Sequence, residues 1–366
     1  VFRPTDEPLD ELLAASHGVR CRASLWRGDV FLGEAPVTGG ELTEAADQFV
    51  GMTLDLSVSS VDEVGRSWLP TSPLDPLNTF GQRAYVQYEV RRASGEWLPV
   101  GLGWFVLDEW EQPGWEVDVS ALDVRDTIRT AKLLAPSSPR PGATFRSELR
   151  ALVGGRVPLN LDDAPADRGV PGGMAWSESR ADAVDELLRA WPARQELDAD
   201  GTMVVLPADL DERPADVTLV DGQGGTIIRR TRSGSRDGLY NVIVARGESP
   251  ADPSSPAVSG YASDDDPASP TYVRGPMGEL VDYFTSPLLT TNAQCKAAAQ
   301  TVLRRSLRSS QQIPVQCLPD PRIGANTRVD LVDPATGTTT RTTVLQSRLP
   351  LTADGGAQQL VLGVIP

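Results

Sequence analysis

Histidine is all but missing from this chain of 366 residues: His17 is the single one. A Ser-His-Asp or Cys-His centre would have to use it, and no nucleophile accompanies it beside Gly18. It reads as an exposed or capping residue. Cysteine is scarce too. Cys21, Cys295 and Cys317 are widely spaced and odd in number, which argues for buried or reduced thiols and against a disulfide framework. With one histidine and scattered cysteines, no zinc set of usual composition can be assembled. No apolar run approaches the roughly 18 residues of a membrane span. The opening Val-Phe-Arg-Pro-Thr-Asp-Glu lacks the regions of a signal peptide. Synthesis and folding in a cytoplasm without membrane insertion are expected. Lysine is limited to Lys132 and Lys296, so nearly all positive charge is arginine.

What is present is negative charge, glycine and proline. The 34 basic residues against 50 acidic ones give a net charge of -16. Binding to phosphate backbones relies on Lys and Arg contacts that release counterions, so general nucleic-acid adhesion is disfavoured. The 33 glycines and 30 prolines fit many short strands and turns.

Residues 1–18 read as an N-terminal arm with a short helix around Leu9 to Ala15. Residues 19–136 read as a first β domain, a barrel or sandwich. Val19 to Trp26 and Asp29 to Leu32 flank an Arg27-Gly28 turn, and Gly39-Gly40 leads to the strand from Met52 to Val58. There Met52, Leu54, Leu56 and Val58 alternate with polar residues, the mark of a half-buried strand. Residues 62–80 form a long irregular loop. Tyr85 to Arg91, Val100 to Glu109 and the Trp115 segment complete the domain.

Residues 137–215 read as a small α/β domain. Thr144 caps one helix, the stretch from Ser179 to Trp191 is a second, and two strands flank Asp200-Gly201. Residues 216–251 and 313–366 read as a second β domain, with the strand from Leu239 to Gly247 as its organising element. Residues 252–312 are then an inserted loop and helix, the helix running from Thr291 to Arg308 with Ala298, Val302, Leu303 and Leu307 on one face. The expected fold class is thus mainly β with α/β elements: two related barrels, a small α/β domain and a helical insertion. A coarse echo between the β domains points to duplication.

Each cluster of chemically capable residues has a plainer reading. Asp264-Asp265-Asp266 lacks the ligand spacing of a calcium loop. Asp162-Asp163 and the group Asp108, Glu109 and Glu111 invite comparison with a glycosidase pair, but such neighbours arise readily among 50 carboxylates. Gly222 to Gly225 lacks the Gly-Lys-Ser/Thr ending of a phosphate loop and opens no helix. Arg229, Arg230, Arg232 and Arg236 form the densest basic run, read as a solvated or subunit-bridging strand surface. Trp26, Trp68, Trp97, Trp104 and Trp115 read as core and interface residues more than as a glycan-binding row. No catalytic, cofactor-binding or metal-binding residue is assigned, and a non-enzymatic assembly protein is expected.

Four features, taken in order, resemble the hub or minor tail protein family of long-tailed bacteriophages, especially those of actinobacterial hosts. They are the hairpin from Gly28 to Gly33 leading to Val37-Thr-Gly-Gly and the Met52 strand; the Pro73-Leu-Asp-Pro-Leu-Asn loop; the strand from Tyr240 to Gly247; and the helix followed by Ile313-Pro-Val-Gln-Cys-Leu-Pro-Asp-Pro and Val329-Asp-Leu. One departure is Gly324-Ala-Asn-Thr-Arg-Val, where the family usually reads Gly-Asp-x-Val. The resemblance implies a baseplate-hub-like homotrimer at the distal end of the tail. Its two barrels per subunit would imitate a six-fold ring and join the tail tube to three-fold tip proteins. Distal tail, tail tube, tape measure and tip or fibre proteins would be its partners, and DNA would pass without specific binding. Ending at Pro366, the chain is expected to lack the hydrolase or receptor-binding extension of many relatives. The competing expectations are a tail-tip cell-wall-degrading enzyme and a glycan-binding β module.

Overall fold

The computed structural model describes residues 2–5, 9, 12–13, 17–208, 213–231, 233–234, 239–247 and 257–365. The first half opens with β1 (Val19–Arg27), β2 (Val30–Ala35), β3 (Val37–Ala45) and β4 (Met52–Ser59), and continues with β5 (Gln82–Arg91), β6 (Trp97–Glu111) and β7 (Glu116–Asp123). Their order in the sheet is β3-β4-β7-β6-β5-β1-β2. Because only Pro36 separates β2 from β3, the two ends of this path are held together by the chain, and the sheet curls back on itself. Strand alternation aims Leu54, Leu56, Val86, Tyr88, Leu102, Phe105, Val117 and Val119 into the enclosed core.

A short helix α1 (Asp126–Thr130) leads into the small α/β unit: α2 (Phe145–Val153), β8 (Leu159–Asn160), α3 (Arg180–Ala190), β9 (Ala193–Leu197) and β10 (Met203–Pro207). Thr144 and Ser147 form a reciprocal capping box at α2, and the Ser179 side chain accepts from the Asp182 N–H at α3. The turn at Gly201 lies against Trp104 on the outer face of the first sheet, where a Cβ would come within 3.3 Å of the indole.

The second half begins with β11 (Val217–Val220), β12 (Ile227–Arg230) and β13 (Ser233–Gly234). An inserted unit follows, made of β14 (Val242–Arg246), β15 (Ser259–Ser263), β16 (Val281–Thr285) and the long helix α4 (Asn292–Ser310). The chain then returns through β17 (Gln311–Cys317), β18 (Arg328–Asp333), β19 (Thr338–Pro350) and β20 (Gln358–Val364). Here the path is β12-β17-β20-β19-β18-β11, and its ends are again consecutive strands. Val315, Cys317, Val329, Leu331, Val344, Leu360 and Leu362 form its core.

The strand from Leu239 to Gly247, expected to organise the second β domain, does not belong to it. β14 pairs with β15 and β16 in a separate three-stranded sheet. Its buried Ile243 and Ala245 are covered by α4, whose Cys295, Ala298, Ala299 and Leu303 are themselves buried. The inserted unit therefore begins before residue 252, because the apolar face of this strand is matched by the helix and not by the barrel.

The two halves share a wiring diagram. In sheet order, β3-β4-β7-β6-β5 corresponds to β12-β17-β20-β19-β18, with every neighbouring pair antiparallel and the chain order preserved. Two β-bulges match as well. Thr38 is the extra residue opposite Val58 in the first half, and Ile228 is the extra residue opposite Cys317 in the second. Likewise Asp108 in β6 and Leu345 in β19 are the extra residues against β7 and β20. The halves differ next to β5 and β18, where β1 runs antiparallel but β11 runs parallel.

Candidate assembly surface

The two halves are joined by a strand ladder. β19 pairs with β18 near its start and with β20 along its centre; on the side that β18 vacates, its last residues pair with β3. Leu349 lies opposite Leu42, Arg348 opposite Thr43 and Pro350 opposite Glu41. β3 is not assigned as a strand from the sequence, where Gly39-Gly40 is read only as leading into the Met52 strand. Its glycines have a packing reason: a Cβ on Gly40 would meet the Asp55 carbonyl oxygen at 2.4 Å, and its φ of +146° disfavours other residues.

The N-terminal arm fastens this joint. The Arg3 guanidinium donates to Glu44 Oε1 at 2.8 Å, to the Pro321 carbonyl at 3.3 Å and to the Leu102 carbonyl at 3.5 Å, and the Arg3 backbone N–H donates to the Arg322 carbonyl at 3.0 Å. Both partners of the Arg3–Glu44 pair are buried. Burial alone would push the Glu44 carboxyl up. The Arg3 charge and hydrogen bond, with the Ala325 N–H, outweigh this and hold it below the ordinary glutamate value. At the rim, Arg348 pairs with Glu41 at 3.1 Å and Arg305 of the inserted helix with Asp47 at 2.6 Å.

The Pro73 to Asn78 motif proves to be a self-capped loop. Asp75 accepts from the Thr71 and Ser72 N–H groups, each at 2.7 Å, and the buried Gln82 side chain donates to the Pro73 and Asp75 carbonyls. In the same excursion Asp62 accepts from the Arg66 and Val64 N–H groups and the Trp68 indole, while the Arg66 guanidinium stacks over that ring.

The remaining sequence candidates disperse. Among the described residues no group of three His, Cys, Asp or Glu side chains could hold a metal ion. Asp264 is buried and takes hydrogen bonds from Ser269 and Thr271, whereas Asp265 and Asp266 face solvent, so the run is divided. Asp162, Asp163, Asp108, Glu109 and Glu111 are exposed. Gly222 to Gly225 bend the chain between β11 and β12. Burial pushes the Cys21 and Cys317 thiols up to about 12, which opposes thiolate chemistry. Arg230 is held by Asp221 at 3.1 Å and Asp333 at 2.7 Å, Arg229 is exposed, and Arg232 and Arg236 lie outside the described residues.

Of the tryptophans only Trp115 is largely exposed; Trp26 and Trp104 stack with Phe31 and Tyr85 across β2, β1, β6 and β5. No row of exposed indoles is present on a sheet face. The inserted unit instead presents Tyr261 and Tyr283 outward, and a cleft of about 820 Å³ runs between β15 and α4, lined by Tyr261, Asp265, Lys296 and Arg304.

No family profile and no characterised protein matches the sequence. Solved structures do resemble the fold. A tail protein from Neisseria meningitidis MC58 superposes with a TM-score of 0.63 at 13% identity, covering 94% of this chain and 96% of that one. The 43 kDa tail protein of prophage MuSo2 from Shewanella oneidensis gives 0.60 at 13% identity, over 94% and 98% of the two chains. Prophage tail protein gp18 from Listeria monocytogenes EGD-e gives 0.56 at 8% identity, over 94% of each. The chain thus shares a β-rich, multidomain fold with phage tail proteins along nearly its whole length.

Proposed function

We propose that this chain is the structural hub of a phage tail: three copies form a ring at the distal end, and the two barrel-type halves of each copy supply six similar positions. The observation that carries this reading is the repeated five-strand order with both bulges in the same register. A subunit with two near-equivalent barrels can meet a six-fold tube on one side while its unlike parts, the small α/β unit and the inserted unit, offer three-fold sites to tip or fibre proteins. The fold likeness to tail proteins supports the same reading.

In this reading the units are the arm 1–18, a first barrel 19–136, the α/β unit 137–215 and a second barrel made of strands on either side of an insertion that spans about 239–310. The partners are the distal tail, tail tube, tape measure and tip or fibre proteins. The role is mechanical and non-enzymatic: adapting symmetry, closing the tube and letting DNA through. The net charge of -16, if displayed in the lumen, would discourage DNA adhesion there. Two measurements test the proposal. The purified chain should have the solution mass of three subunits, and antibody or tag labelling should mark the tail tip in micrographs of the virion. A single-subunit mass at all concentrations, or turnover of peptidoglycan by the purified chain, would overturn it.

A further inference from the structure

The internal repeat specifies which edges join neighbouring copies, given the ring proposed above. Carrying the register across, Gln346, Ser347, Arg348 and Pro350 of β19 correspond to Glu109, Trp110 and Glu111 of β6 and to Pro113 just beyond it. In the second half, residues 346 to 350 pair with β3 on the side vacated by β18. In the first half the same side of β6, beyond the end of β5, pairs with no strand among the described residues, and Asp108, Glu109 and Glu111 are exposed there. The counterpart of β3 is β12 with β13, which among the described residues is an edge: Thr231, Ser233 and Gly234 correspond to Glu41, Thr43 and Glu44. Each copy thus carries one filled junction and the two unfilled halves of another.

We propose that the β12–β13 edge of one copy adds antiparallel to residues 109–111 of β6 in the next, reproducing between subunits the β3–β19 ladder found within one. The register places Glu111 opposite Ser233, Trp110 opposite Gly234 and Pro113 opposite Thr231. Charge agrees with this occupant. Within the chain, basic Arg348 meets acidic Glu41 across the ladder. Between copies acidic Glu109 and Glu111 stand on the β6 side, while the exposed Arg229 of β12 falls in register with Trp115, four residues along from the Glu111 rung, so charges of opposite sign face each other across the seam without forming a direct pair. Donor and acceptor edges lie in different barrels, so the contact is head-to-tail and forms a ring when its rotation closes. An unpaired edge on each barrel is also what an isolated subunit would have to protect.

Paired cysteines and charge reversal test the inference on the purified full-length chain. Residues directly opposite in an antiparallel ladder have Cα atoms about 4.5–5.5 Å apart, within the range a disulfide spans. A chain carrying Glu111→Cys and Ser233→Cys together should give disulfide-linked species up to three chains and no larger, whereas either change alone should not. Glu109→Arg with Glu111→Arg, or Arg229→Glu alone, should weaken association several-fold at low ionic strength and little at high salt, as opposite charges across the seam that are not directly paired would. Circular dichroism confirms that each variant folds. If the chain associates but neither cross-links nor responds to charge reversal, these edges are not the interface, although the ring reading survives. If it stays monomeric throughout, both fail.

Discussion

Leu42 of β3 lies directly opposite Leu349 of β19, both almost wholly buried, and this pair occupies the ladder that makes one continuous sheet of two barrel-type halves. The residues belong to strands some 300 positions apart, and both are buried in the cluster that holds the first barrel's core, so the second half lends Leu349 to the packing of the first.

Truncating either side chain should therefore destabilise both halves together. Leu42→Ala and Leu349→Ala are each expected to cost about 2–5 kcal/mol. The double variant should cost less than the sum, because the residues share one contact. Urea unfolding followed by tryptophan fluorescence, which reports the first half, and by amide exchange in β19 and β20 would check this. Independent loss of one half would refute it.

Gly40→Ala is predicted to be far worse than Gly39→Ala. The first places a methyl 2.4 Å from the Asp55 carbonyl at a φ of +146°, and should cost more than about 2 kcal/mol. The second meets only the Ser57 Cβ at 3.8 Å, and should cost about 1 kcal/mol or less. Thermal melts of the two variants provide the comparison.

The Arg3–Glu44 pair makes stability depend on pH in a definite direction. The native Glu44 carboxyl titrates below its ordinary value of 4.5, so the unfolded chain takes up the proton first as pH falls. The stabilisation is fully present above that value and is lost as pH drops through the lowered native one. Glu44→Gln should flatten this part of the stability–pH curve. Arg3→Ala, which strands a buried carboxylate, should cost about 3–5 kcal/mol near neutral pH. A Glu44→Gln curve identical to that of the parent would count against the pair's role.

Thiol labelling at pH 8 should be slow. With Cys21 and Cys317 raised to about 12 and Cys295 raised by burial as well, thiolate is scarce in the folded chain. All three should react promptly in denaturant. Rapid labelling of Cys317 in the native protein would show that the second core opens more readily than its packing implies.

Much of this architecture was legible in the chain. The alternation of Met52, Leu54, Leu56 and Val58 marks β4, and Thr144, Ser179 and Thr291 stand at the N-termini of α2, α3 and α4 as capping chemistry requires. Two elements were not legible, for different reasons. β3 is rich in glycine and acidic residues, and it is a strand because Leu349 and Asp55 approach it from either side, which is long-range information. β14 has the apolar sequence of any buried strand, and only α4 decides which sheet it enters. The candidate surface was hidden likewise: the Arg229 run and the Asp108 to Glu111 group were visible as charge, but their relation emerges from matched bulges that no local pattern announces.

β13 and β17 pair with each other, Ser233 opposite Gln312 and Gly234 opposite Gln311, so the chain leaves for the inserted unit and returns from it at one rung of a ladder. In the first half the same rung is closed by the few residues between Ala45 and Met52. The insertion is thus a cassette mounted on two adjacent posts. A lineage could trade it for another, or dispense with it, and leave the frame that carries it unaltered.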